Sequence, residues 1–219
     1  MLKMKLKVYK FCMNTEMIIK SNKEREIVCC ASKLFYDKNK QISLPLYSKL
    51  TKGVMIRTNN ISFSYTEYEK NEELESDDRE LVIAAREAAL NAYAPYSNFK
   101  VGAAVRLETG IIVRGANIEN AAFPSGICAE RSALFNSISN HPEDKPVALA
   151  IAAMTEEGLT DDFPSPCGNC RQVIAEEESR TGNKIKIILS GKNKTQIIEG
   201  ISSLLPLQFN RKNLKINLP

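Results

Sequence analysis

The chain has 219 residues, 43% hydrophobic and 26% charged, with a formal net charge of +4. That is enough for one well-filled domain plus an appendage, and no apolar run approaches the roughly 20 residues of a bilayer-spanning helix. The net charge hides an asymmetry: residues 1–54 carry 12 Lys+Arg against 4 Asp+Glu, a net +8, and the remaining 18 basic and 22 acidic residues leave 55–219 at −4. A mildly acidic body argues against a phosphate-backbone binder, which needs clustered Lys and Arg.

Residues 1–54 read as a weakly ordered basic extension, and 55–219 as the functional domain. "MLKMKLKVY" alternates apolar residues with lysine, as a solvated strand does, and no clean apolar segment of a signal peptide follows its lysines. The cytoplasm is therefore the expected compartment. Met55 stands as an alternative start for the compact part.

From Ser76 the pattern becomes regular. "SDDRELVIAAREAALNAYAPYS" predicts a helix, with Asp77 and Glu80 spaced as a capping box and Pro95 as its stop. "FKVGAAVRLETGIIVRGANIEN" predicts two strands joined by a turn at Thr109-Gly110. "CAERSALFNSISN" predicts a second helix, and "VALAIAAM" a strand covered on both faces. "CGNCRQVIAEEESR" predicts a third helix, "KIKIILSG" and "TQIIEG" two more strands, and "ISSLLPLQF" a closing turn or short helix. This order specifies an α/β fold, a three-layer α/β/α sandwich around a mixed five-stranded sheet.

Three of the six cysteines sit at predicted helix starts. Cys128 opens the second helix; Cys167 and Cys170 open the third, behind Pro166. C-x-x-C at a helix start puts two sulfurs on one side, and Cys128 supplies a third. Three protein ligands leave a tetrahedral zinc its fourth position, the catalytic rather than the structural arrangement. The single histidine, His141, lies in the turn-like "NHPEDKP" and reads as a turn residue. Glu130, two residues after Cys128, is placed to carry protons to and from a water whose pKa the metal has lowered to about 7. C-x-E followed by P-C-x-x-C is the general layout of zinc deaminases. Arg131 is a candidate donor to a thiolate, offsetting the negative charge of three sulfurs. A thioredoxin-like redox pair and a structural zinc ribbon are the competing readings of "CGNC".

The blocks "AYAPYSNFKVGAAV", "GANIENAAFPSGICAERSAL", "PCGNCRQV" and "LLPLQF" resemble the small, homotetrameric, three-cysteine cytidine deaminases from about Ser76 to Phe209. The resemblance implies zinc-dependent hydrolysis of cytidine and deoxycytidine to uridine and deoxyuridine, with release of ammonia, in pyrimidine salvage. It implies zinc, one per subunit, on Cys128, Cys167 and Cys170, with Glu130 as the proton carrier. Asn117 and Glu119 match the pair that holds the ribose hydroxyls; both lie on the same side of an extended segment. Phe99 matches an aromatic packed on the pyrimidine, Ala129 a further substrate contact, and Arg131 a donor to the thiolates. Phe209 matches a phenylalanine that reaches a neighbouring subunit's site. The implied partners are a nucleoside substrate and other copies of the chain, with no nucleic acid and no membrane. Two features depart from the family pattern: Phe123 stands where Tyr is common, and the residues before Ser76 have no counterpart in compact members. A three-cysteine deaminase acting on a modified cytosine nucleoside, of the blasticidin-S type, is the nearest alternative; "NIEN" favours plain ribose.

Overall fold

The computed structural model describes residues 57–214, together with the backbone of three short strands before them. The chain divides into two units, Met1–Asn59 and Asn60–Pro219. In the first, β1 (Ile18–Ile19), β2 (Ile27–Cys29) and β3 (Ser32–Leu34) form a three-stranded sheet in that order, both pairings antiparallel. The expected strand in "MLKMKLKVY" and the weak order expected over 1–54 otherwise lie outside the described residues.

The second unit opens with β4 (Thr66–Tyr68) and helix α1 (Ser76–Leu90). Leu81, Val82, Ala84, Ala85, Ala88 and Ala89 form the buried face of α1. The expected capping box does not form. Glu75 is the N-cap and gives no side-chain cap; Asp77 accepts from Ser76 Oγ at 3.2 Å. Glu80 instead pairs with Arg106 at 2.8 Å. A full positive charge held on the sheet outcompetes one backbone N–H for that carboxylate.

Then follow β5 (Lys100–Leu107), β6 (Ile112–Ala116), α2 (Ala129–Asn140), β7 (Pro146–Thr155), β8 (Gly158–Leu159), α3 (Gly168–Thr181), β9 (Lys186–Ser190) and β10 (Thr195–Glu199). The β5–β6 turn lies at Thr109-Gly110, with Gly110 at φ +90°, the left-handed region that glycine enters without a Cβ penalty. His141 is the C-cap of α2 and its carbonyl accepts from Asp144 N at 3.1 Å, so it is a half-buried turn residue. Two 3-10 turns follow, Ile201–Ser203 within the expected closing segment and Arg211–Leu214 after it.

Strand order is β4-β10-β9-β7-β5-β6, with β8 added to β7; β7 and β9 are parallel and the other pairs antiparallel. The five expected strands are all present, and the short β4 and β8 extend the sheet to seven. Side chains alternate across each strand. Ala103, Val105, Leu149, Ile151, Ile187 and Leu189 share one core with α2 and α3, and Ala104, Ala148, Ala150 and Ile188 share the other with α1. The fold is the expected three-layer α/β/α sandwich. Among the described residues no helix is long and apolar enough to cross a membrane.

Register decides where the site forms. Lys100 of β5 faces Met154 of β7, and Gly102 faces Ala116 of β6. The start of β5, the end of β6 and the end of β7 thus share one end of the sheet. Helix α2 leads into β7 and α3 follows it, so both helices bring their N-termini to that end.

Candidate active site

Cys128 and Cys167 are the N-caps of α2 and α3, and Cys170 lies in the first turn of α3. Their sulfurs converge: Cys128 to Cys167 is 3.7 Å, Cys167 to Cys170 is 3.5 Å, and all three lie within 4.8 Å of one another. A tetrahedral zinc with Zn–S of 2.3 Å has sulfurs about 3.8 Å apart, so the spacing fits that ion. Cys170 is fully buried, Cys128 half-buried and Cys167 exposed.

Glu130 is only 5% exposed, yet it lines a cavity of about 870 Å³ together with Cys128, Cys167 and Ala129. Burial holds the Glu130 carboxyl above its ordinary range. Burial, and then the charge of Glu130, also raise the Cys128 and Cys170 thiols. Burial pushes Cys167 up as well, but backbone N–H groups of the α3 N-terminus and the neighbouring sulfurs outweigh it and lower the thiol. A coordinated divalent metal deprotonates such thiols outright. Arg131 Nη2 approaches Cys128 Sγ at 3.9 Å, and Arg131 Nε is buried with no hydrogen-bond partner, facing a demand for negative charge that thiolates meet. Burial opposes the positive charge on Arg131, but its contacts with Cys128 raise its pKa overall.

The opposite wall comes from the start of β5 and the segment after β6. Phe99, Asn117 and Glu119 all line the cavity. Asn117 Oδ1 accepts from Val101 N at 2.7 Å and Nδ2 donates to the Phe99 carbonyl at 3.0 Å. Glu119 accepts from Ser97 Oγ at 2.5 Å and from Tyr96 N at 2.9 Å. Phe123 meets Tyr96 edge-on, centroids 5.9 Å apart and planes at 73°, an apolar contact at the position that departs from the expected Tyr. Phe209 does not line its own chain's cavity. It is 57% exposed, its carbonyl held by Gln172 Nε2 at 2.9 Å. Arg171, which sequence reasoning passed over, ties the metal loop to the C-terminal turn by donating to Pro166 O at 2.8 Å and Leu204 O at 2.7 Å.

Three thiols at metal spacing on a cavity wall, with a buried carboxyl beside them, suit a metal that must meet both substrate and a proton carrier. This fold and this three-thiol cluster fit the class of zinc-dependent hydrolytic deaminases. Comparison with known proteins narrows the class. Residues 75–182 match the cytidine and deoxycytidylate deaminase zinc-binding region. The cytidine deaminase of Halalkalibacterium halodurans is 47% identical over 100 residues, covering 45% of this chain and 71% of that protein. That of Sporosarcina psychrophila is 38% identical over 138 residues, covering 63% and 95%. The crystal structure of cytidine deaminase from Burkholderia pseudomallei aligns with a TM-score of 0.52 at 34% identity, over 59% of this chain and 97% of that one. The chain belongs to the cytidine deaminase family, and zinc is its cofactor.

Proposed function

We propose that the protein hydrolyses cytidine and deoxycytidine to uridine and deoxyuridine with release of ammonia, recovering pyrimidine nucleosides in the cytoplasm. Residues 55–219 form the deaminase domain, and 1–54 a basic extension. The observation that carries this reading is the burial of Glu130 in the cavity wall beside the three sulfurs.

Cys128, Cys167 and Cys170 hold the zinc. When bound, zinc supplies Lewis acidity that brings the pKa of water from 15.7 to about 7. Asn117 and Glu119 orient the ribose, Phe99 packs on the pyrimidine, and the free N–H end of α2 at Ala129 faces the base. Glu130 takes one proton of the attacking water and places it on N3 as the C4–O bond forms. It then passes the second proton to the amino nitrogen; the C4–N bond breaks, and ammonia departs. The water's two protons thus end on N3 of the product and on ammonia. A carboxyl whose pKa is raised by burial is suited to holding each proton in turn. The exposed Phe209 completes the site of a neighbouring subunit in a homotetramer.

The test is Glu130→Gln. Zinc content stays at one ion per chain, while ammonia release from cytidine falls by about 10² to 10⁴, the usual worth of a proton-transferring group. Near-normal turnover in a zinc-loaded Gln variant refutes the assignment. Assays of deoxycytidine, CMP and blasticidin S alongside cytidine define the substrate range.

A further inference from the structure

Glu119 lines the cavity half-buried, and its carboxylate is engaged by its own chain. Oε2 accepts the backbone N–H of Tyr96 at 2.9 Å and of Ser97 at 3.3 Å, and Oε1 accepts the Ser97 hydroxyl at 2.5 Å. The same hydroxyl oxygen accepts the N–H of Phe99 at 3.0 Å. A serine hydroxyl has one proton to give and lone pairs to receive; here the proton goes to Glu119 and a lone pair to Phe99. Asn98, between them, has φ +54°, a left-handed conformation that asparagine tolerates better than most residues. That bend lets Ser97 reach both neighbours. Asn117 braces the same segment from the far side through Val101 N and Phe99 O. Ser97 Oγ is therefore one atom bonded to both the carboxylate assigned to the ribose and the backbone of the aromatic assigned to the base.

We propose that Ser97 is a positioning residue for nucleoside recognition: its hydroxyl couples Glu119 to Phe99, so that sugar and base are gripped as one unit. The inference rests on the assignment of Glu119 and Phe99 made above. The loop keeps its shape without this hydroxyl, because Asn98 N still bonds Ala94 O at 3.0 Å and Asn117 still braces Phe99 and Val101. Removing the hydroxyl leaves Glu119 its two backbone donors but frees one oxygen, and so loosens the carboxylate's rotation.

The experiment uses the zinc-loaded full chain with Ser97→Ala, Ser97→Thr, Glu119→Ala and the Ser97→Ala/Glu119→Ala double variant. Readouts are kcat and KM for cytidine, the inhibition constant of uridine, and the melting temperature. Ser97→Ala is expected to raise KM and the uridine constant about fivefold, in line with one partly solvated hydrogen bond to a charged group. Its kcat stays within about twofold, the signature of binding lost equally from ground and transition states. Ser97→Thr restores both constants. In the Glu119→Ala background Ser97→Ala adds less than about twofold, because coupled residues are not additive. Multiplicative effects in the double variant, or a kcat loss that follows a fall in melting temperature, overturn the proposal while leaving Glu119 as the ribose ligand. A Glu119→Ala variant with wild-type KM overturns the ribose assignment itself, and the proposal with it.

Discussion

The metal-bearing helix α2 lies against the sheet at Gly115, and Gly115→Ala tests how tightly that contact fixes the site. A Cβ at Gly115 would stand 2.3 Å from Ala133 N, 2.8 Å from Ala133 Cα and 2.8 Å from Ala129 O. All three are backbone atoms of α2, so no side chain can swing aside, and the helix must retreat by about 1 Å to reach ordinary contact distance. Overpacking of this kind costs about 1–3 kcal/mol. Taking the upper value for a backbone clash, and about 2–4 °C per kcal/mol for a unit of this size, the melting temperature falls by roughly 6–12 °C. The same retreat carries Cys128 and Glu130 away from Cys167 and the substrate, and a displacement near 1 Å costs about 10² in rate. Gly168→Ala is the control. Gly168 lies between the metal cysteines, but a Cβ there meets nothing within 4 Å, and substitution at such a site is expected to be neutral or stabilising by about 0.4–1 kcal/mol. Thermal unfolding, zinc content and kcat/KM are measured on both variants. If Gly115→Ala melts and turns over like the parent, or Gly168→Ala is as damaged as Gly115→Ala, the close packing of α2 does not position the metal centre.

Arg131→Ala removes the donor 3.9 Å from Cys128 Sγ; zinc affinity, measured by competition with a chelator, is expected to weaken about 10- to 100-fold, and unchanged affinity would return Arg131 to a purely structural role. Lys186 Nζ meets both oxygens of buried Asp78 at 3.1 Å. Burial alone would lower Lys186, but Asp78 outweighs it and raises the pKa. A raised lysine stabilises the fold fully below its unfolded pKa of about 10.4 and loses that contribution as pH rises through its higher folded value. Urea unfolding between pH 8 and 11.5 should therefore show stability falling at the alkaline end, and in Asp78→Asn that fall should be smaller; an identical alkaline limb in the variant contradicts the linkage.

The elements around the site were legible because each carries its own local signal. The alanine-rich stripe of α1, the doubly apolar run of β7 and the cysteines at two helix starts need no distant partner to be read. The place of Glu130 at the cysteine cluster was legible for the same reason: it is two residues from Cys128 in sequence, and both line one cavity. β4 and β8 were not, because two or three residues hold no period. The capping box failed for a different reason. Asp77 and Glu80 have the right spacing, but the competing partner of Glu80, Arg106, arrives from β5. Ser97 shows the boundary most clearly. Its bond to Phe99, two residues on, is a local turn pattern that sequence can suggest; its bond to Glu119 spans 22 residues and depends on the register that sets β5 against β6.

Charge explains why the site needs both helix ends and the arginine at once. Three thiolates around one divalent zinc leave about one negative charge, and Glu130 adds another when ionised. Each helix N-terminus offers roughly half a positive charge, and those of α2 and α3 both meet this cluster through their cysteine N-caps. Arg131 supplies a whole charge against Cys128. Together these bring the ionised cluster to about neutral, and a proton taken up at Glu130 leaves it about one charge positive. Either helix end alone would leave the ionised cluster about half a charge negative. The order α2–β7–α3 places both N-termini at the end of β7, where Glu130 lines the cavity beside the cysteines.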